Sequence, residues 1–175
     1  EHNDFSVFLC VGLGEDGKLY VIDLLRGKWE APDLLIKAQQ FWEKHKKKHP
    51  LLGTGCAAMH IEDKVSGTGL IQQLKRKGVP VIPISRSATK EQKAIDKLTR
   101  VMDCVPYLAA GLCFLPANPT EFTDATWVLD FVSEHSKFTP DDTHDFDDQV
   151  DVMMDAITIL LANKGGVDYR SLTKL

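Results

Sequence analysis

The sequence predicts an α/β domain in which a mixed sheet is flanked by helices. Three observations carry that expectation. An apolar hairpin opens the chain, short segments of strand composition then alternate with longer helical patterns, and an acid-dense run near the end turns into an amphipathic helix.

Phe5 to Leu13 (FSVFLCVGL) is rich in β-branched and aromatic residues, Gly14-Glu15-Asp16-Gly17 supplies turn chemistry, and Lys18 to Leu25 (KLYVIDLL) is apolar again, so the two segments read as a β-hairpin. Pro32 suits a first helical turn, and Leu34, Leu35, Ala38, Phe41 and Trp42 follow at helical spacing. That helix is expected to end in the basic run Lys44-His45-Lys46-Lys47-Lys48-His49, where cations favour a helix C-terminus. Gly55 to Ile61 (GCAAMHI) reads as a buried parallel strand that delivers Glu62-Asp63-Lys64 at its carboxyl end. Ligands of open α/β sheets sit outside that end. Ser66-Gly67-Thr68-Gly69 begins the next helix and lacks the spacing of a phosphate-binding loop.

Val79 to Ile84 (VPVIPI) carries two prolines and is expected at a sheet edge or strand end. Thr89 to Leu108 forms a charged helix with Lys90, Lys93, Lys97 and Arg100 on one side, and Pro106 is expected to end or kink it. A short strand, Leu112 to Leu115, is closed by Pro116. Thr126 to Phe138 is a further helix carrying Trp127, Leu129, Phe131 and Val132. In the last helix Val150, Met153, Met154, Ile157, Leu160 and Leu161 recur at spacings of three and four. Residues 1–163 are expected to form one domain and 164–175 a polar tail.

Of the 175 residues 43% are hydrophobic and 26% charged, as in an ordinary globular domain, and the formal charge of −4 argues against a generally basic nucleic-acid coat. Contact with nucleic acid would have to come from local patches such as Lys44–Lys48, Lys75–Lys77 and Lys90–Arg100. Cys10, Cys56, Cys104 and Cys113 lie in apolar surroundings without CxxC spacing, and read as reduced core residues of an intracellular protein. No signal peptide or long apolar run directs the chain to a membrane.

The chemistry concentrates in His144-Asp145-Phe146-Asp147-Asp148-Gln149-Val150-Asp151. On a helix Asp148 and Asp151 are three apart, and Asp147 and Asp151 four apart, which lines several carboxylates along one edge of the apolar face. At an effective dielectric of about 20, two like charges about 4 Å apart repel by about 4 kcal/mol, so an inward-facing cluster calls for protons or a cation, and a hard divalent ion suits carboxylate oxygens. Helix capping and the macrodipole are the alternative account of the same acids, and they serve Asp145 and Asp147 better than Asp151. For Glu62 the alternative is a strand-end carboxylate paired with Lys64 or water.

Two stretches, Ile61-Glu62-Asp63-Lys64-Val65-Ser66-Gly67 and Asp147-Asp148-Gln149-Val150-Asp151, together with the order of elements around them, resemble the C-terminal nuclease domain of phage terminase large subunits. The resemblance covers nearly the whole chain. It implies an RNase H-like fold and cleavage of concatemeric double-stranded viral DNA during packaging, with acidic residues holding two Mg²⁺ or Mn²⁺ ions. Carried over by residue, Glu62, Asp148 and Asp151 would be the catalytic and metal-binding acids, with Asp63 and Asp147 as adjacent alternates. Lys97 and Arg100 match a basic pair that could meet the DNA backbone, with an exposed helical charge as the alternative. The resemblance further implies a terminase small subunit and a portal as partners, and the cytoplasm of an infected or lysogenic bacterium as location.

It also implies a first strand bearing an aspartate between the metals, which is expected upstream of Glu1, because Asp4 matches the start of the second strand. The sequence contains no Walker A motif, so the family's ATPase is expected outside it. Three other readings stand beside the nuclease: a non-cleaving RNase H-like module that binds DNA or packaging partners, a junction resolvase, and a calcium loop. The last lacks the turn glycine and closing glutamate.

Overall fold

The computed structural model describes residues 5–50, 52–63, 65–86, 90–139 and 146–162. Among these residues, five strands and five helices follow in the order β1 (Ser6–Leu13), β2 (Leu19–Gly27), α1 (Ala31–His45), β3 (Met59–Glu62), α2 (Val65–Arg76), β4 (Val81–Ile84), α3 (Lys90–Ala109), β5 (Cys113–Phe114), α4 (Val128–Lys137) and α5 (Asp148–Ile157). A π-helical turn, Thr158–Ala162, extends α5. Among the described residues the strands form two sheets: β1-β2-β5, with an antiparallel hairpin and a parallel β5, and the parallel pair β3-β4. This is the α/β arrangement of strands flanked by helices expected from the sequence.

The hairpin contains a bulge that decides which side chains face which layer. Cys10 pairs with Asp23 but Val11 pairs with Val21, so β2 carries one extra residue, Ile22. Before the bulge Leu19 and Val21 face the large core; beyond it that face is taken up by Leu24. Ile22 therefore turns to the opposite layer with Cys10, Phe41 and Phe122, and Asp23 turns with it towards α1. The bulge thus takes Asp23 off the large-core face and sets it against Lys44 and His45 of α1.

The large core joins β2 to α5 through Leu19, Val21, Val150, Met153, Met154, Ile157 and Leu161, with Cys104 of α3 and Phe131 of α4 closing its sides. The stripe read from the sequence is thus the buried face of α5, with Leu160 packed at its margin. A second core joins α1 and α2 to β3-β4 through Ala38, Ile71, Leu74, Val79 and Val81. At the turn from β3 into α2, a Cβ on Gly67 would lie 2.2 Å from the Glu62 carbonyl oxygen, so only glycine lets α2 close on the strand end.

Several boundaries differ from expectation for identifiable reasons. β3 starts at Met59, four residues later than Gly55, because Gly55 and Cys56 are held against the end of α1. Cys56 N–H donates to the His45 carbonyl at 2.8 Å, and a Cβ on Gly55 would lie 2.0 Å from the Lys46 carbonyl oxygen. α3 runs through Pro106 to Ala109 and does not end before it. The carbonyl that loses its partner belongs to Met102, on the exposed face where water can answer it, and Gly111 (φ 66°) closes the helix with its N–H on the Leu108 carbonyl. β5 has two residues where four were expected, and Pro116 has no N–H with which to extend it. On α4 Phe131 is buried, but Leu129 is 82% exposed and Val132 is exposed, so only part of that apolar pattern is core.

Candidate acidic functional site

Glu62 is the last residue of β3, opposite Ile84 of β4 in the parallel register, and two residues beyond Ile84 stands Arg86. Arg86 Nη1 lies 3.4 Å from Glu62 Oε1, and Arg86 Nη2 hydrogen-bonds Asp155 Oδ2 of α5. One guanidinium thus ties the strand-end acid to the acid helix, and it does so at Asp155. Adjacent parallel strands deliver both partners side by side because their ends are in register.

A ladder of charges continues along α5. Asp147, Asp151 and Asp155 are spaced by four and fall on one helix edge, while Lys97 and Arg100 are spaced by three on α3. Lys97 Nζ bonds Asp147 and lies 3.5 Å from Asp151 Oδ2; Arg100 Nη2 lies 3.1 Å from Asp151 Oδ1, and its Nη1 lies 3.1 Å from Asp155 Oδ1. Neither basic residue is the solvated helical charge that was the alternative to DNA contact. Both are spent, in this state, on the carboxylates of α5. Four carboxylates, Glu62, Asp147, Asp151 and Asp155, face three side-chain cations, Arg86, Lys97 and Arg100, and all seven are half-buried, with side chains 18–28% exposed. Burial pushes the Asp155 carboxyl above the ordinary range; Arg86 and Arg100 oppose that shift and the neighbouring Asp151 adds to it.

Asp148 turns to a different partner. Arg26 of β2 places Nη2 3.8 Å from Asp148 Oδ2 and Nη1 3.3 Å from Glu134 Oε2, with its guanidinium over the Phe5 ring at 3.9 Å and the Phe146 ring at 5.1 Å. Buried Glu134 of α4 accepts hydrogen bonds from Gln149 N–H and Gln149 Nε2, both at 2.7 Å. Glu134 therefore caps α5 in place of its own leading residue: Asp147 stands at the N-cap but makes no capping bond, and its carboxylate goes to Lys97. The capping account of Asp147 is corrected accordingly. Asp63 also departs from the cluster, accepting from Thr68 Oγ1 at 2.8 Å on an exposed turn.

The carboxylates are hard oxygen donors of the type divalent ions take. Among the described residues, however, no three His, Cys, Asp or Glu side chains gather into a ligand set. The arrangement is one in which acids assembled from β3 and α5 are balanced by basic side chains from the β4 end and α3. Asp155, Arg86 and Arg26 are the participants missed in the sequence. Asp155 was legible as the next rung of the same four-residue spacing, whereas Arg86 and Arg26 carried no local signal. Asp4, Lys64 and Asp145, the side chains of Lys90 and Lys93, and the tail lie outside the described residues.

A family model described as a terminase RNaseH-like domain matches residues 1–159. No curated protein and no solved structure matched the chain. Among the described residues no helix is long and apolar enough to cross a membrane.

Proposed function

This chain belongs to the terminase RNaseH-like domain family, and on that premise we propose that it is the metal-dependent endonuclease domain of a viral DNA-packaging terminase large subunit. Its substrate would be concatemeric double-stranded DNA, and its reaction hydrolysis of the phosphodiester bond. The observation that carries this reading is the Arg86 bridge, which brings Glu62 at a strand end onto the acid ladder of α5.

Glu62, Asp148 and Asp151 would hold two Mg²⁺ or Mn²⁺ ions, with Asp148 leaving Arg26 to do so and Asp147 and Asp155 as neighbouring donors, while Asp63, turned to Thr68, would stand outside the set. The ions would supply Lewis acidity to polarise the phosphate and lower the pKa of an attacking water. The chain's own residues do the rest. α5 presents its acids at fixed spacing because its opposite face is locked into the core. Gly67 lets α2 pack against the Glu62 carbonyl and so fixes the strand end. Lys97 and Arg100 neutralise the acids and stand beside them as the groups able to turn to a phosphate backbone. The small subunit and portal are the partners this reading brings, and the cytoplasm of an infected or lysogenic bacterium its location.

Nicking and linearisation of supercoiled plasmid tests the proposal, with Mn²⁺, Mg²⁺ or chelator, using this chain and a version lengthened upstream. Metal-dependent cutting that is lost in Glu62→Ala and in Asp148→Ala is the expected result. Unimpaired cutting by both variants would sink it. A second reading, a DNA- or partner-binding module that does not cut, is favoured by one observation: the acids are already engaged by basic side chains and form no three-ligand group among the described residues. Salt-sensitive DNA binding without metal dependence, and no cutting by the lengthened protein, would select it.

A further inference from the structure

The bulged hairpin brings two cysteines together that are 46 residues apart in the chain. Cys10 Sγ lies 3.4 Å from Cys56 Sγ. Cys10 is buried on β1 at the bulge. Cys56 is half-buried, three residues ahead of β3, and its N–H is anchored to the end of α1. Ile22, Phe41, Phe122 and Leu52 surround the pair, so apart from each other the two thiols face mainly apolar neighbours. A disulfide needs the sulfurs to close from contact to about 2.05 Å. A half-exposed cysteine on a loop segment can supply that movement more readily than a cysteine within a strand.

We propose that Cys10 and Cys56 form a reversible dithiol–disulfide site, oxidised by a two-electron oxidant of the peroxide class, whose bond staples the segment that leads into β3 to strand β1. Cys56 is the attacking group. The hydrogen bond from Cys10 holds its thiol below the ordinary range, while the same contact and burial push Cys10 up. Cys56 thiolate attacks a peroxide oxygen, the O–O bond breaks, and hydroxide leaves to give the Cys56 sulfenic acid. Cys10, giving up its proton, attacks that sulfur and displaces the hydroxyl as water. Two thiols and one hydrogen peroxide become one disulfide and two waters, the sulfurs losing the two electrons that the peroxide gains.

The remaining cysteines make an internal control. Burial raises the thiols of both Cys104 and Cys113, the latter to about 11, so neither is a ready nucleophile. The proposed bond closes a long loop and ties the approach to β3 to β1, two strands that share no ladder hydrogen bond among the described residues. Oxidation is therefore expected to raise the midpoint of thermal unfolding by about 5–10 °C.

The test is intact-mass and peptide mapping of the full chain after hydrogen peroxide at neutral pH, followed by dithiothreitol. The expected result is loss of two hydrogens, a Cys10–Cys56 linked peptide, reversal by dithiothreitol and no such loss in Cys56→Ser. A brief alkylation pulse should label Cys56 about tenfold faster than Cys104 or Cys113. A peroxide product that carries added oxygen on Cys56 without a cross-link would overturn the proposal, as would a link through Cys104 or Cys113. Mapping of the wild-type chain decides the matter even if Cys56→Ser fails to fold.

Discussion

Asp23 and Asp155 are both aspartates withdrawn from water and answered by two basic side chains, yet their carboxyl groups respond in opposite directions. Burial raises Asp23, but hydrogen bonds from His45, Lys44 and Thr123 outweigh it and hold the group below the ordinary range. His45 Nε2 and Lys44 Nζ lie 2.9 and 2.7 Å from the same Asp23 oxygen, and the Phe41 and Phe122 rings cover His45. Asp155 has two guanidinium partners and still sits above the ordinary range, because burial dominates and Asp151 stands one turn away. One acid among several donors makes a closed structural joint between β2 and α1. Several acids sharing fewer cations make the ladder between β3, α3 and α5. Hydrogen bonds that outweigh burial at Asp23, and burial that the two guanidiniums do not offset at Asp155, separate the two.

The largest effect expected from this contrast is on stability. Asp23→Ala strands Lys44 and a buried His45, and should lower the urea-unfolding free energy by about 3 kcal/mol. Asp155→Asn keeps the shape and removes a surplus charge, and should cost about 1 kcal/mol or less. Equal losses would break the comparison, since the acid ladder would then be as structural as the Asp23 joint.

A smaller effect separates the cations. Arg86→Met leaves Glu62 and Asp155 without their shared partner, and should cost about 1–2 kcal/mol in chelator. Mn²⁺ should restore much of that loss if the acids accept a divalent ion in place of the guanidinium. Denaturation curves that ignore Mn²⁺ would count against a metal role for these carboxylates.

The acid limb of the stability profile sharpens the comparison further. A folded-state pKa below the unfolded one means that the unfolded chain binds more protons in that window. Asp23 therefore contributes stability that is complete above about pH 4 and is lost as pH falls through its folded value. Asp155 works in the opposite sense: its folded form holds the proton more tightly, so its contribution is present below about pH 4 and is lost as pH rises through the folded value. Urea titrations of Asp23→Asn between the neutral and acid ranges should show a flatter acid limb than the wild type.

The smallest effect belongs to Asp63, the acid next to Glu62 that turns away to Thr68. Asp63→Asn should change stability by about 0.5 kcal/mol or less. It should also leave metal-dependent cutting closer to wild type than Glu62→Gln does. A loss equal to that of Glu62→Gln would transfer the strand-end role to the pair of acids together.

The sequence by itself determined the elements and the acid edge. Alternation and turn residues in the hairpin, the three-and-four spacing from Val150 to Leu161, and the four-residue spacing of Asp147 and Asp151 are local patterns, and local patterns follow from backbone geometry. Family membership was legible from two local stretches, the one that joins Glu62 to Gly67, where a Cβ would meet the Glu62 carbonyl oxygen, and the one that holds Asp147, Asp148 and Asp151. Tertiary structure alone decided who answers those acids. A one-residue bulge turns Asp23 from the large core to α1, parallel register sets Arg86 beside Glu62, Glu134 reaches from α4 to cap α5, and α3 lays Lys97 and Arg100 along the ladder. Each of these pairs residues distant in the chain, and Coulomb energy depends on distance in space, which no spacing along one helix or strand encodes.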